Sequence, residues 1–143
     1  MKASAILQRC IDILQDTTNV RWPEPELIRY LNDAQREVVK DRPDSNPVND
    51  SVALVAGTKQ SIPTSGMKLI EVMRNMGANG TTPGRAIRIV DRSILDAQHP
   101  NWHADTASAT VKHYLHDNRD PKRFYVYPPA TAGTQVEVVY SAA

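Results

Sequence analysis

Few side chains in this sequence could do chemistry, and their spacing limits what that chemistry could be. His113 and His116, followed by Asp117, would suit a metal ion, but on a strand an offset of three sends the two imidazoles to opposite faces. They read as solvent or interface histidines. His99 and His103 have the i, i+4 spacing of a helical zinc pair, yet Pro100 lies between them and no HExxH glutamate accompanies them, which argues against a zinc protease. Gly77, Gly80 and Gly84 precede Arg85, but the GxxxxGK spacing and its lysine are missing, and the context is strand to strand. No GxSxG elbow is present, Cys10 sits on an apolar stripe, and no acid and base share a catalytic spacing. The expectation is no enzyme, no metal centre and no cofactor.

Two groups of cations remain: Arg85, Arg88 and Arg92 in one run, and Arg119, Lys122 and Arg123 at a loop. Each could touch DNA phosphates without reading sequence, and each could equally be a solvated or interface surface. The whole chain has 17 Lys and Arg against 16 Asp and Glu, a formal charge of +1, so a strong electrostatic grip on DNA or anionic lipid is not expected as its main activity. The single cysteine rules out an intramolecular disulfide and makes a reducing compartment the default. Ile6 to Leu14 is interrupted by Gln8, Arg9 and Asp12, which is no signal peptide, and no run reaches membrane-spanning length. The expected product is soluble and intracellular at synthesis, with no membrane partner.

The elements that would position these residues are legible in outline. Ala3, Ile6, Leu7, Cys10, Ile11, Ile13 and Leu14 line one side of a helix ending near Asp16. A second helix is bounded by Pro23 and Pro25 at its start and Pro43 at its end. Glu24 and Glu26 lie at its amide end, Lys40 and Arg42 at its carbonyl end. Leu27, Leu31, Ala34 and Val38 form its apolar line, flanked by Tyr30, Ile28 and Val39, an arc wide enough for two neighbours. The short polar connection, Thr17 to Arg21, predicts a helical hairpin.

Asp41 to Ser51 reads as turn chemistry, and β-type runs follow. Ser51–Ala56 and Lys59–Ile62 are expected to form a hairpin about Gly57-Thr58. Further strands are expected at Lys68–Arg74, Arg85–Asp91, Thr110–His116, Arg123–Tyr127 and Gln135–Ser141. Asn75 to Gly84 is expected as an exposed, mobile loop, and Pro128 to Gly133 as a connection. Asp91 can cap a short helix over Arg92–Gln98, and Trp102 is the expected anchor of an irregular segment. Tyr125 and Tyr127 alternate with Phe124 and Val126, leaving one face of that strand free for a partner chain. The predicted fold class is α+β: an N-terminal helical hairpin (1–44), then a small, mainly antiparallel β domain with one short helix (45–143), packed on the hairpin.

The order of these landmarks resembles a known family. The pattern W-P-x-x-E-L-I-x-Y-L-N-D-A-Q-x-x-V-V-x-x-R-P-D (22–44) is followed by AGTKQSIP (56–63) and a run ending Arg74-Asn75. Then come ILD…PNW (94–102), FYVYPP, and VEVVYSA (124–142). Nearly the whole chain is similar to the head-to-tail adaptor (connector) proteins of tailed bacteriophages. That resemblance implies a structural virion subunit, commonly in a ring of about twelve copies, at the head-to-tail interface. Its implied partners are the portal protein, a tail or nozzle protein, copies of itself, and double-stranded DNA passing non-specifically through the channel. A tail-completion or terminator ring protein and a sequence-independent nucleic-acid-binding module are the alternatives.

Overall fold

The computed structural model describes residues Met1 to Ala142, and the chain divides into two units, Met1–Asp41 and the part from Arg42 onward. The fold class is the predicted one: N-terminal helices, then a mainly antiparallel β unit with one short α-helix.

The first unit holds α1 (Ala3–Leu14) and α2 (Glu24–Asp41), which are in contact. Helix α1 ends on Gln15 in the left-handed region at φ 52°, with the amides of Gln15 and Asp16 returning to the carbonyls of Asp12 and Ile11. Asp16 then organises the connection, its carboxylate accepting from the backbone N–H of Val20, Arg21 and Trp22 at 3.1, 2.9 and 2.8 Å. Those amides, Trp22 first, hold the Asp16 carboxyl below its ordinary 3.8. A depressed carboxylate stabilises the fold above its unfolded value and loses that contribution as pH falls through the folded one. The Trp22 amide signal, followed by NMR through an acid titration, should therefore move with a midpoint below 3.8. Asp16→Asn should abolish that transition.

The second unit begins with a 3-10 turn at Pro43–Ser45 and contains two sheets. One has the order β1-β7-β3, with β1 (Pro47–Ala53), β3 (Gly66–Asn75) and β7 (Gln135–Ala142) all antiparallel. The other has the order β2-β6-β5-β4: β2 (Gly57–Ser61), β6 (Arg123–Ala130), β5 (His113–His116) and β4 (Arg88–Ile89), the last pair parallel. Alternation along β7 and β6 aims Val136, Val138, Tyr140, Phe124 and Val126 into one shared core with Leu69, Val72, Val111 and Tyr114. The Arg85–Ile89 segment joins the sheets, since Ala86 bridges to Arg74 of β3 while Arg88 and Ile89 pair with β5.

The structure corrects several expectations. Ser51–Ala56 and Lys59–Ile62 do not form a hairpin, because β1 pairs with β7 and β2 with β6. The reason is Gln60, 2 % exposed, whose amide accepts from Val55 N–H at 2.9 Å and donates to Val55 O at 2.8 Å and Gly57 O at 3.0 Å. This amide holds a corner between the sheets in place of a hairpin turn. Gln60→Leu fits the space but leaves those backbone groups without their partner, so chemical denaturation should show a loss of about 2 kcal/mol.

The strand expected from Ser51 begins earlier, at Pro47. A proline is tolerated as the first residue of an edge strand, and pairing with β7 outweighs the turn preference of Asn49 and Asp50. The expected connection after Tyr127 is strand as far as Ala130. Prolines lack the donor but keep the acceptor, and Pro129 O accepts from Ser108 N–H at 2.8 Å. The strands expected at Arg85–Asp91 and Thr110–His116 shorten to Arg88–Ile89 and His113–His116.

Asn75 is not part of an exposed loop. It ends β3, is 5 % exposed, and donates through Nδ2 to Arg85 O and Val111 O at 2.9 and 2.8 Å while Oδ1 accepts from Val111 N–H at 2.8 Å. The loop after it is exposed at Gly77–Asn79 and Thr81–Gly84 but tied at its base. Met76 N–H donates to Gln135 O, and Gln135 N–H to Gly77 O. Gly80, at φ +74°, lies so close to Ser51 that a Cβ would sit 2.9 Å from its Oγ.

Candidate interaction surface

The outer face of the four-stranded sheet carries most of the unusual side chains. Asp91 caps α3 (Arg92–Gln98) by accepting from Ser93 N–H at 2.8 Å, as predicted, and the Ser93 hydroxyl keeps its carboxyl below the usual range. Helix α3 leads into a 3-10 turn at Trp102–Ala104. There Trp102 is fully buried, edge-on to Tyr125 and Tyr127 and stacked on His103 at 3.6 Å. Its indole N–H donates to Asp96 at 2.8 Å, and Arg92 reaches the same carboxylate while lying over the Tyr125 ring. The face expected to await a partner chain is therefore covered by the chain's own segment.

Each histidine has a structural setting here. His99 Nε2 lies 2.8 Å from Asp105, which also accepts from the Tyr127 hydroxyl at 3.1 Å. The histidine, ahead of the tyrosine, holds the Asp105 carboxyl low, and Asp105 in turn pushes the Tyr127 phenol up. His103 Nδ1 lies 2.8 Å from Thr58 Oγ1. His113 stands opposite Tyr127 and His116 opposite Phe124, on the two faces of β5, as the offset of three requires. Among the described residues no group of three or more His, Cys, Asp or Glu could hold a metal ion.

A cleft of about 600 Å³ opens beside this cluster, with Ile89, Val90 and Leu115 in its lining. It brings together Arg92 and Arg119, one from each cation group, but both already have acids: Arg92 with Asp96, and Arg119 with Asp117 at 2.9 Å. The Arg119 guanidinium holds the Asp117 carboxyl low and is itself pushed up by it. Arg123 faces Asp120 at 3.8 Å. Arg85, Arg88 and Lys122 are exposed and have no salt bridge among the described residues. The six cations therefore divide into three paired and three unpaired.

The helical unit supplies a different surface. Of the predicted apolar line of α2 only Leu27 is buried, with Val39 from its flank; Leu31 is half-buried and Ala34 is exposed, while Val38 and Tyr30 are 56 % and 54 % exposed and Ile13 and Val20 are each 80 % exposed. Among the described residues no helix is long and apolar enough to cross a membrane.

Helices followed by a two-sheet β unit define an α+β protein that leaves apolar side chains uncovered on its helices. Residues 1–143 match the family model described as SU10 adaptor protein, and the chain belongs to that family. It is a structural adaptor protein of a bacteriophage and a component of the virion assembled in the host. No curated protein sequence matches it.

Proposed function

We propose that the protein is a head-to-tail adaptor (connector) subunit that forms a ring between portal and tail and extends the DNA channel. The uncovered apolar residues of the helical unit, Ile13, Val20, Tyr30 and Val38, carry this reading. Covering a side chain of this size removes it from water at a gain of about 1.5–3 kcal/mol, and a ring gives every subunit two lateral neighbours to do so. The exposed parts of the loops at Gly77–Gly84 and Asp117–Lys122 would serve as contacts with the portal protein on one side and a tail or nozzle protein on the other. Double-stranded DNA would pass through the channel without being read.

The test is the mass and shape of the purified chain, alone and mixed with portal rings, by light scattering and electron microscopy. Closed rings of about twelve copies seated on the portal are expected. A lone subunit persisting at high concentration with portal present would overturn the proposal, and rings that dock only on tail would make the protein a tail-completion ring instead. Ile13→Glu with Val38→Glu should prevent ring formation while the far-ultraviolet circular dichroism stays helical and β-rich.

A further inference from the structure

We infer that Arg85, Arg88 and Lys112 together form a binding site for the phosphodiester backbone of duplex DNA. The inference deepens the proposed passage of DNA through a ring and rests on it for the choice of ligand. Lys112 belongs to neither cation group visible in the sequence. The fold brings its main chain beside that of Arg88, whose N–H donates to Lys112 O at 3.1 Å, and His113, the next residue, stands opposite Arg88 in the parallel β4–β5 pair. Arg85 is brought to the same place by Asn75, whose buried amide donates to both Arg85 O and Val111 O and so holds the segment carrying Arg85 against the one carrying Lys112.

All three side chains are exposed, and none has an acidic partner among the described residues. That sets them apart from Arg92, Arg119 and Arg123, whose charge is spent on Asp96, Asp117 and Asp120. The imidazole of His113, the residue after Lys112 and opposite Arg88, is kept below its usual pKa first by burial and then by Arg85, Arg88 and Lys112, which agrees with a local positive field. Exposed cations without acidic partners suit a polyanion that presents regularly spaced charges. Contacts of this kind to phosphate position a duplex without carrying sequence information.

The test measures duplex DNA binding by fluorescence anisotropy across a salt series, with ring formation followed separately on the same samples. For a single subunit engaging DNA, three phosphate contacts predict that a fourfold rise in salt lowers wild-type affinity about fortyfold, and a ring engaging several subunits at once falls more steeply. In R85Q/R88Q/K112Q that dependence should nearly vanish, while R92Q/R119Q/R123Q keeps the wild-type slope. Matching thermal melts check that the substitutions leave folding intact. Equal losses in the two triple variants, or binding of polyglutamate in place of DNA, would overturn the inference. So would rings that form normally yet show no affinity for DNA at low salt, which leaves the ring proposal standing. DNA binding by a chain that never forms rings would support the site and remove the ring.

Discussion

Trp102→Ala should cost the β unit about 3–5 kcal/mol, the range for emptying a fully buried aromatic position. The indole is not buried in the shared core between the sheets. It covers the outer face, where it meets Tyr125 and Tyr127 edge-on and lies under the His103 ring. Its removal would open that face to water and release Asp96 from the indole N–H, leaving the carboxylate with Arg92 alone. Trp102→Phe separates the two contributions. Most of the apolar contact is kept while the hydrogen bond to the carboxylate is lost, so about 2 kcal/mol should disappear. Denaturant unfolding followed by Tyr fluorescence would measure both variants; equal losses would show that the hydrogen bond, and not the ring, dominates.

A second large effect is expected at Asn75. Truncation to alanine leaves Val111 N–H and Val111 O, on a residue with no solvent exposure, without the amide that satisfies both. Each buried polar group deprived of its partner costs about 1–3 kcal/mol, so Asn75→Ala should lose about 3 kcal/mol in chemical denaturation. Asn75→Asp is the more telling variant. It keeps the shape and the acceptor for Val111 N–H but turns the donor toward Val111 O into a carboxylate oxygen, so it should do no better than alanine at neutral pH. If Asn75→Asp were as stable as wild type, the two-way amide pairing would not be what holds the β3–β5 side together.

These two residues show what the amino-acid sequence reveals by itself. Trp102 is recognisable as an anchor because a large aromatic in a polar, irregular stretch has few other uses. The Asp91 cap and the proline-bounded limits of α2 are equally plain, since their causes lie within a few residues. Asn75 is invisible for the opposite reason. Beside the glycines that follow, it reads as loop, and its partner Val111 is 36 residues away. Gln60 is misread similarly, because Gly57-Thr58 between two apolar runs has the look of a hairpin and only the buried amide decides otherwise.

The candidate surface follows the same division. The arginines at 85, 88, 92, 119 and 123 and the lysine at 122 stand out by type. Which of them are silenced by an aspartate depends on loop geometry, and Lys112 enters only through a parallel pairing that local pattern cannot announce. The apolar arc of α2 stands out by periodicity alone. Which of its residues stay uncovered depends on tertiary packing that periodicity does not express.

The way Arg85–Ile89 completes both sheets has a mechanical consequence. The loop before it is fastened at Met76 and Gly77 to Gln135, and after Gly84 it runs at once into a stave that β3 and β5 share. A pull on the loop is thus delivered through its tied base to both walls of the β unit together. The loop is a handle, not a hinge: whatever grips it moves the whole β unit.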